Sequence, residues 1–210
     1  DETPEAYAII DAKQKDEKYP FKFLSGAGAA FKTIQGLIKM GADTGQFNIP
    51  DGWEKWLLDV ASIATVADMV PLCDENRTIV YFGLKVLRKT RRTGLISLYK
   101  KLKLNSDFIN EDDVGFMVAP RINTASRMGH ATTSFNLLIT PNNAEADSIA
   151  SELEGKNGER KESVQVILDA VEKKFSGSGD KIPPILVLGD FNWMPGVLGL
   201  AANRIMEKYQ

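Results

Sequence analysis

The stretch "TPNNAEADSIASELEGKNGERKESVQVILDAVEKKF", residues 140–175, decides how the chain is read. Its apolar residues Ala146, Ile149, Leu153, Val164, Leu168, Val171 and Phe175 recur at the spacing that gathers side chains on one face of a helix. Asn142 or Asn143 has the short polar side chain that caps a helix start. At about 1.5 Å per residue such a helix spans roughly 50 Å, longer than a single domain needs, so the spacing predicts a connection between two domains. Gly155 and Gly158 each weaken a helix by about 1 kcal/mol relative to Ala and mark a place for a bend or break.

C-terminal to it, "SGSGDKIPP" reads as a flexible boundary and "ILVLG" (185–189) as a buried strand. "GVLGLAANRIMEKY" then reads as the helix that follows, and the pair as the start of an α/β domain. Gly196 and Gly199 fall at the turn from strand to helix, where backbone N–H groups can meet an anion, and Arg204 lies a turn beyond. The same glycines equally suit tight packing of the helix on the strand.

N-terminal to it, residues 105–140 read as short helices around an irregular stretch, "APRINTASRMGH" (119–130). Arg121, Asn123, Thr124, Ser126, Arg127 and the single histidine, His130, lie within eleven residues. Guanidinium forks pair bidentately with oxyanions, which suits a phosphate or a strand backbone. The competing reading is a polar loop whose arginines bridge carboxylates between domains. His130 has no second ligand at helical spacing and reads as structural or peripheral. The basic strip "RKTRR" (88–92), with Lys100, Lys101 and Lys103, reads as a solvated face before a backbone track.

Further upstream, Trp56, Leu57, Val60, Ala61, Ala64 and Ala67 keep helical period and bring Asp68 to the last turn, inside the apolar run "SIATVADMVPL" (62–72). A carboxylate there meets the negative end of the helix dipole, which calls for a metal ion or a basic partner; the alternative is an exposed Asp in water. Pro71 stops the helix, and Asp74 is a candidate cap for a helix carrying Ile79, Val80, Phe82 and Val86. "YAII" (7–10) reads as a short β-type run before a helix over "FLSGAGAAFKTIQGLIKM". Gly26 and Gly28 start like a dinucleotide fingerprint, but Phe31 occupies the place of a third glycine, so close helix packing is the reading.

Composition sets the bounds. The 26 basic and 28 acidic residues leave a net charge of -2, so any nucleic-acid contact must come from a local patch. One cysteine excludes an internal disulfide framework, and no apolar run reaches the ~20 residues of a membrane span. The chain reads as soluble and intracellular, and its opening residues as those of a piece cut from something longer.

Three blocks, "ATVADMVPLCDENRTIVYFGLKVL", "GFMVAPRINTASRMGHA" and "WMPGVLGLAANRIMEKY", in this order and spacing, resemble the RecJ family of the DHH phosphoesterase superfamily. "AYAIIDAKQKDEKYPFKFLSGAGAAFK" resembles the stretch that follows the family's Asp-His-His motif, so the likeness covers essentially the whole chain. It implies an α/β fold: residues 1–140 as the C-terminal part of a DHH domain, 141–176 as a connecting helix and 182–210 as the start of a DHHA1-like nucleic-acid-binding domain. It implies a hydrolase releasing mononucleotides from the 5′ end of single-stranded DNA, in DNA repair and recombination. Two manganese or magnesium ions activate the water, with Asp68 similar to one of their ligands and the catalytic carboxylate.

The resemblance implies strand-phosphate contacts for Arg121, Arg127, Asn203 and Arg204, and Asn123 and Gly196 join them as candidates from their places in the two blocks. The implied partners are single-stranded DNA and single-stranded-DNA-binding protein, in the cytoplasm and without a membrane. Three departures stand out. Met194 replaces the usual His, Asn203 the usual Ser, and Ser126 a common Gly. The family's first three metal motifs lie upstream of these 210 residues, so this stretch alone is expected to be inactive. A catalytically silent relative that binds single strands or a replication partner is the other class left open.

Overall fold

The computed structural model describes residues 5–15, 17–175 and 185–209. Among them every regular element is helical: α1 (Gly26–Asp43), α2 (Leu58–Ala67), α3 (Asp74–Leu87), α4 (Thr93–Leu102), α5 (Ala119–Met128), α6 (Thr132–Ile139), α7 (Asn143–Phe175) and α8 (Pro195–Tyr209). Short 3-10 turns at Trp53–Leu57 and Ser106–Phe108 and a π-helical turn at Asp113–Val118 complete the set. Two compact units result, Asp1–Arg91 with Leu102–Ala119, and Arg92–Lys101 with Pro120–Gln210.

The expected α/β class is therefore corrected: no strand or sheet forms among the described residues. "ILVLG" forms no regular element; Ile185 and Val187 are exposed and Leu186 and Leu188 pack on the α7–α8 core, an alternation of period two without a ladder. "YAII" is exposed from Tyr7 to Ile10. β-propensity describes fit to a pleated, half-buried surface, and neither run has a neighbouring strand to supply one. The boundary stretch 176–184 lies outside the described residues.

In the first unit, Phe21, Leu24, Phe31, Leu58, Ala61 and Ile79 form the core between α1, α2 and α3. Ser25 caps α1, its Oγ accepting from the Gly28 N–H at 3.0 Å and lying 3.1 Å from Thr65 Oγ1 on α2. That contact uses the helix start which a dinucleotide phosphate would otherwise occupy. Asn76, fully buried on α3, donates from Nδ2 to the carbonyls of Phe23 (2.7 Å) and Pro71 (2.9 Å) and so ties two loops to the helix. The expected Asp74 cap is replaced by Cys73 at the capping position, with no side-chain bond; Asp74 is the first residue of α3.

In the second unit, α7 runs unbroken through Gly155 and Gly158. Asn142 caps it, Oδ1 accepting from the N–H groups of Ala144 (2.8 Å) and Glu145 (3.2 Å). Its buried face packs on α6 near one end, and at the other Val164, Ile167 and Val171 meet Val197 and Ala201 of α8.

"APRINTASRM" is helix α5 where an irregular stretch was expected. Pro120 cannot donate to the turn before it and its ring crowds the carbonyl four residues back. The π-helical turn Asp113–Val118 widens the ladder just there, the Ala119 N–H reaching Val114 O, and lets the helix continue.

Gly83 sets the separation of α2 and α3: an added Cβ would lie 2.6 Å from the Leu58 carbonyl oxygen and against Ser62. Gly83→Ala is expected to cost about 1–3 kcal/mol by overpacking, several degrees in melting temperature. Thermal unfolding of the two proteins tests this; an unchanged midpoint would show that the helix pair relaxes freely.

Candidate nucleic-acid interface

Three of the sequence-predicted residues, Arg121, Arg127 and Arg204, come together in the second unit, joined by Arg160 of α7. Arg121, on the first turn of α5, is 9% exposed and pairs bidentately with Glu154 of α7, Nε to Oε2 at 2.7 Å and Nη2 to Oε1 at 3.2 Å. Arg127, exposed at the end of α5, donates from Nη1 to the Gly196 carbonyl at 3.4 Å. Arg204, exposed on α8, has no carboxylate partner among the described residues.

Arg160 donates from Nε (3.3 Å) and Nη2 (3.0 Å) to Oδ1 of Asn157 one turn earlier. Burial first, then the charges of Arg127, Arg121 and Arg204, pushes its pKa below the ordinary arginine value. It stays cationic at neutral pH. Like charges are thus concentrated around Arg160, and the Arg121 fork holds the Glu154 carboxylate below the usual range against the opposing effect of burial.

The remaining predicted residues have other employment. Gly196 lets α8 approach α5: an added Cβ would strike the Arg127 carbonyl oxygen, so this glycine serves packing. Asn203 donates from Nδ2 to Glu207 Oε1 at 2.8 Å on its own helix. Asn123 is half-buried on α5, its carbonyl accepting from Ser126 Oγ at 3.0 Å. Met194 and Ser163 Oγ are 4.0 Å apart. His130 is exposed. The basic strip is partly committed to packing: Arg88 Nε donates to Ile109 O (3.0 Å), Arg92 Nη1 to Leu138 O (3.1 Å), and Arg91 stacks on Trp56 at 4.6 Å.

Asp68 belongs to the first unit. It ends α2, its N–H bonded to Ala64 O at 2.9 Å, and the chain then turns through Met69 at φ 53°. Its side chain is exposed, so the apolar letters around it do not bury it. Among the described residues no group of three or more Asp, Glu, His or Cys side chains is arranged to hold a metal. Asp68 is a ligand of the right type, but these residues do not by themselves hold an ion.

Arg160, Asn157 and Glu154 were missed in the sequence because "ELEGKNGERKE" looks like an ordinary charged run. The available signal was Asn157, four residues from Leu153 and seven from Val164, on the apolar face of α7.

The Glu154–Arg121 pair has a definite pH signature. A carboxylate whose folded value is depressed contributes stability that is fully present above the unfolded value, here 4.5, and is lost as the pH falls through the folded value. Glu154→Gln is expected to lower the melting temperature at neutral pH, with the difference from wild type closing under acid conditions. A gap that stays constant through that range would show that the charge of Glu154 contributes nothing.

No protein-family model matches the chain. Among curated proteins, the single-stranded-DNA-specific exonuclease RecJ of Bacillus subtilis is 37% identical over 209 residues, 99% of this chain and 25% of the relative. RecJ of Escherichia coli is 33% identical over an alignment of 218 residues, covering 100% of the chain and 37% of the relative. The chain thus spans about a quarter to somewhat over a third of these relatives' length.

Among solved structures, a manganese-bound exonuclease RecJ superposes with a TM-score of 0.73 at 30% identity, covering 91% of this chain and 46% of the other. A Mg2+ complex of RecJ from Thermus thermophilus gives 0.72 at 32% identity, covering 91% and 29%. The likeness runs through both units in sequence and in fold, and the chain belongs to the RecJ family.

Proposed function

We propose that this chain is the central part of a metal-dependent exonuclease that hydrolyses single-stranded DNA from its 5′ end to mononucleotides, in DNA repair and recombination. The observation that carries the reading is the convergence of Arg121, Arg127, Arg160 and Arg204, of which Arg121 pairs with Glu154. A strand backbone presents one negative charge per nucleotide, and guanidinium groups gathered from α5, α7 and α8 meet phosphates while leaving the bases unread. The similarity to RecJ exonucleases, two of them crystallised with manganese or magnesium, supports hydrolysis as the chemistry.

On this reading residues 1–140 complete a DHH domain, 141–176 connect it to the next, and 182–210 open the DHHA1-like part. Asp68 gives one carboxylate to a Mn2+ or Mg2+ site whose other ligands come from the portion of the full-length protein that this stretch does not span. When bound, those ions supply Lewis acidity and an activated water. The residues seen here bind and orient the strand. A cytoplasmic setting and single-stranded-DNA-binding protein as partner rest on the family resemblance alone; no described helix is long and apolar enough to cross a membrane.

The test is manganese-supported release of nucleotides from 5′-labelled single-stranded DNA by the full-length protein. Asp68→Asn is expected to cut release at least about a hundredfold while leaving strand affinity unchanged. Equal release by both proteins would remove Asp68 from the site, and strand binding without release by the wild type would move the protein to the silent, binding-only class.

A further inference from the structure

Along α7 the buried face reads Ala146, Ala150, Leu153, Asn157, Val164, Ile167, Val171. The polar interruption at Asn157 is fully buried. An amide placed in a core position normally has all its hydrogen-bonding groups satisfied. Here Oδ1 is taken by Arg160, and Nδ2, a buried donor, has no partner. Beside it stands a guanidinium which Asn157 holds by two nitrogens but does not neutralise, within electrostatic reach of three more. An unused donor and uncompensated cations together specify an acceptor carrying negative charge.

We infer that Asn157 and Arg160, with Arg127 and Arg204, form a seat for one phosphodiester group of the bound strand, in which Arg160 binds the phosphate and Asn157 positions it. Arg121 is engaged by Glu154 and forms the wall of the seat. Asn157 fixes the plane of the Arg160 fork, because an acceptor one turn earlier on the same helix leaves the guanidinium few other directions. The amide is neutral, so it orients the cation without cancelling it; a carboxylate at this position would do both. The inference rests on the strand-binding reading and adds to it the residues that hold a particular phosphate.

The test uses full-length protein in chelator, so that binding is read without hydrolysis, with single-stranded DNA titrated across a salt series and inorganic tripolyphosphate followed by thermal shift. Asn157→Asp is nearly isosteric and pairs with Arg160 in place. It is expected to keep or raise the melting temperature of the free protein, to weaken strand binding at least about tenfold and to reduce the salt slope by about one. Arg160→Ala should give the same losses, and Arg160→Lys, which keeps the charge but not the fork, an intermediate affinity with the wild-type slope.

Wild-type affinity and slope in Asn157→Asp would overturn the seat even if Arg160→Ala failed to fold, since a merely structural pair predicts that result. Tripolyphosphate that stabilises the wild type but not Asn157→Asp, with strand binding equal in both, would assign the seat to a free polyphosphate and overturn the strand as its occupant. A wild type that binds no strand at all would overturn the functional reading along with the seat. Wild-type strand binding lost only in the variants supports both.

Discussion

The second unit depends on one constraint: α7 must bury a single face along its length while carrying the polar residues that meet α5 and α8. Its apolar stripe gives Leu153 to one side and Val164, Ile167 and Val171 to the α8 side. Between them Asn157 alone interrupts the stripe and marks one level of the helix, with Glu154 and Arg160 three residues to either side. Helix packing on both sides of that level fixes the polar residues more firmly than a loop would, because the backbone on which they sit cannot move without opening two apolar contacts. The tight approach of Gly196 to the Arg127 backbone adds a further anchor and brings the start of α8 to the end of α5.

The first unit solves a different problem, which is to hold an exposed carboxylate at a defined point on its surface. Asp68 follows the last turn of α2, and the loop after it turns through left-handed Met69 and reaches Pro71. The Pro71 carbonyl is bound by buried Asn76, and Thr65 on the last turn of α2 meets the Ser25 cap. Buried hydrogen bonds on either side of Asp68 therefore limit the motion of its backbone. Replacing Asn76 with an apolar side chain would leave two carbonyls wanting a donor, which is why a core amide is retained there.

Much of this was legible in the sequence. The three-and-four spacing of apolar residues located α1, α3 and α7, and Asn142, the residue before α7, was readable as its cap. The arginines at 121 and 127 carried two readings, oxyanion binding and bridges to carboxylates, and Arg121 makes the second kind of contact with Glu154. "ILVLG" and "YAII" were misread because a short apolar run says that a segment is partly buried, not that another strand lies beside it. "APRINTASRM" looked irregular because Pro120 suggests a break, and only the geometry of the π-helical turn shows how the ladder passes it. For Asp68 the spacing left two readings, a carboxylate met by a metal ion or cation and an exposed Asp at the helix end, and its side chain is exposed. Arg160 went unseen because its significance lies in which face it shares with Asn157, not in its place within a charged run.

The charge distribution brings these observations together. A chain with net charge -2 has no general attraction for a polyanion, so any attraction must arise where cations outnumber carboxylates locally. Arginine suits that task better than lysine, because a weakly hydrated planar fork loses less on partial burial and keeps its charge when crowded. Arg160 shows the crowding directly, since burial and three like charges all act against it and the fold keeps it there. A surface arginine free to swing into water would relieve that repulsion at no cost. The hydrogen bonds to Asn157 one turn earlier direct this one, so its charge stays near those of Arg127, Arg121 and Arg204.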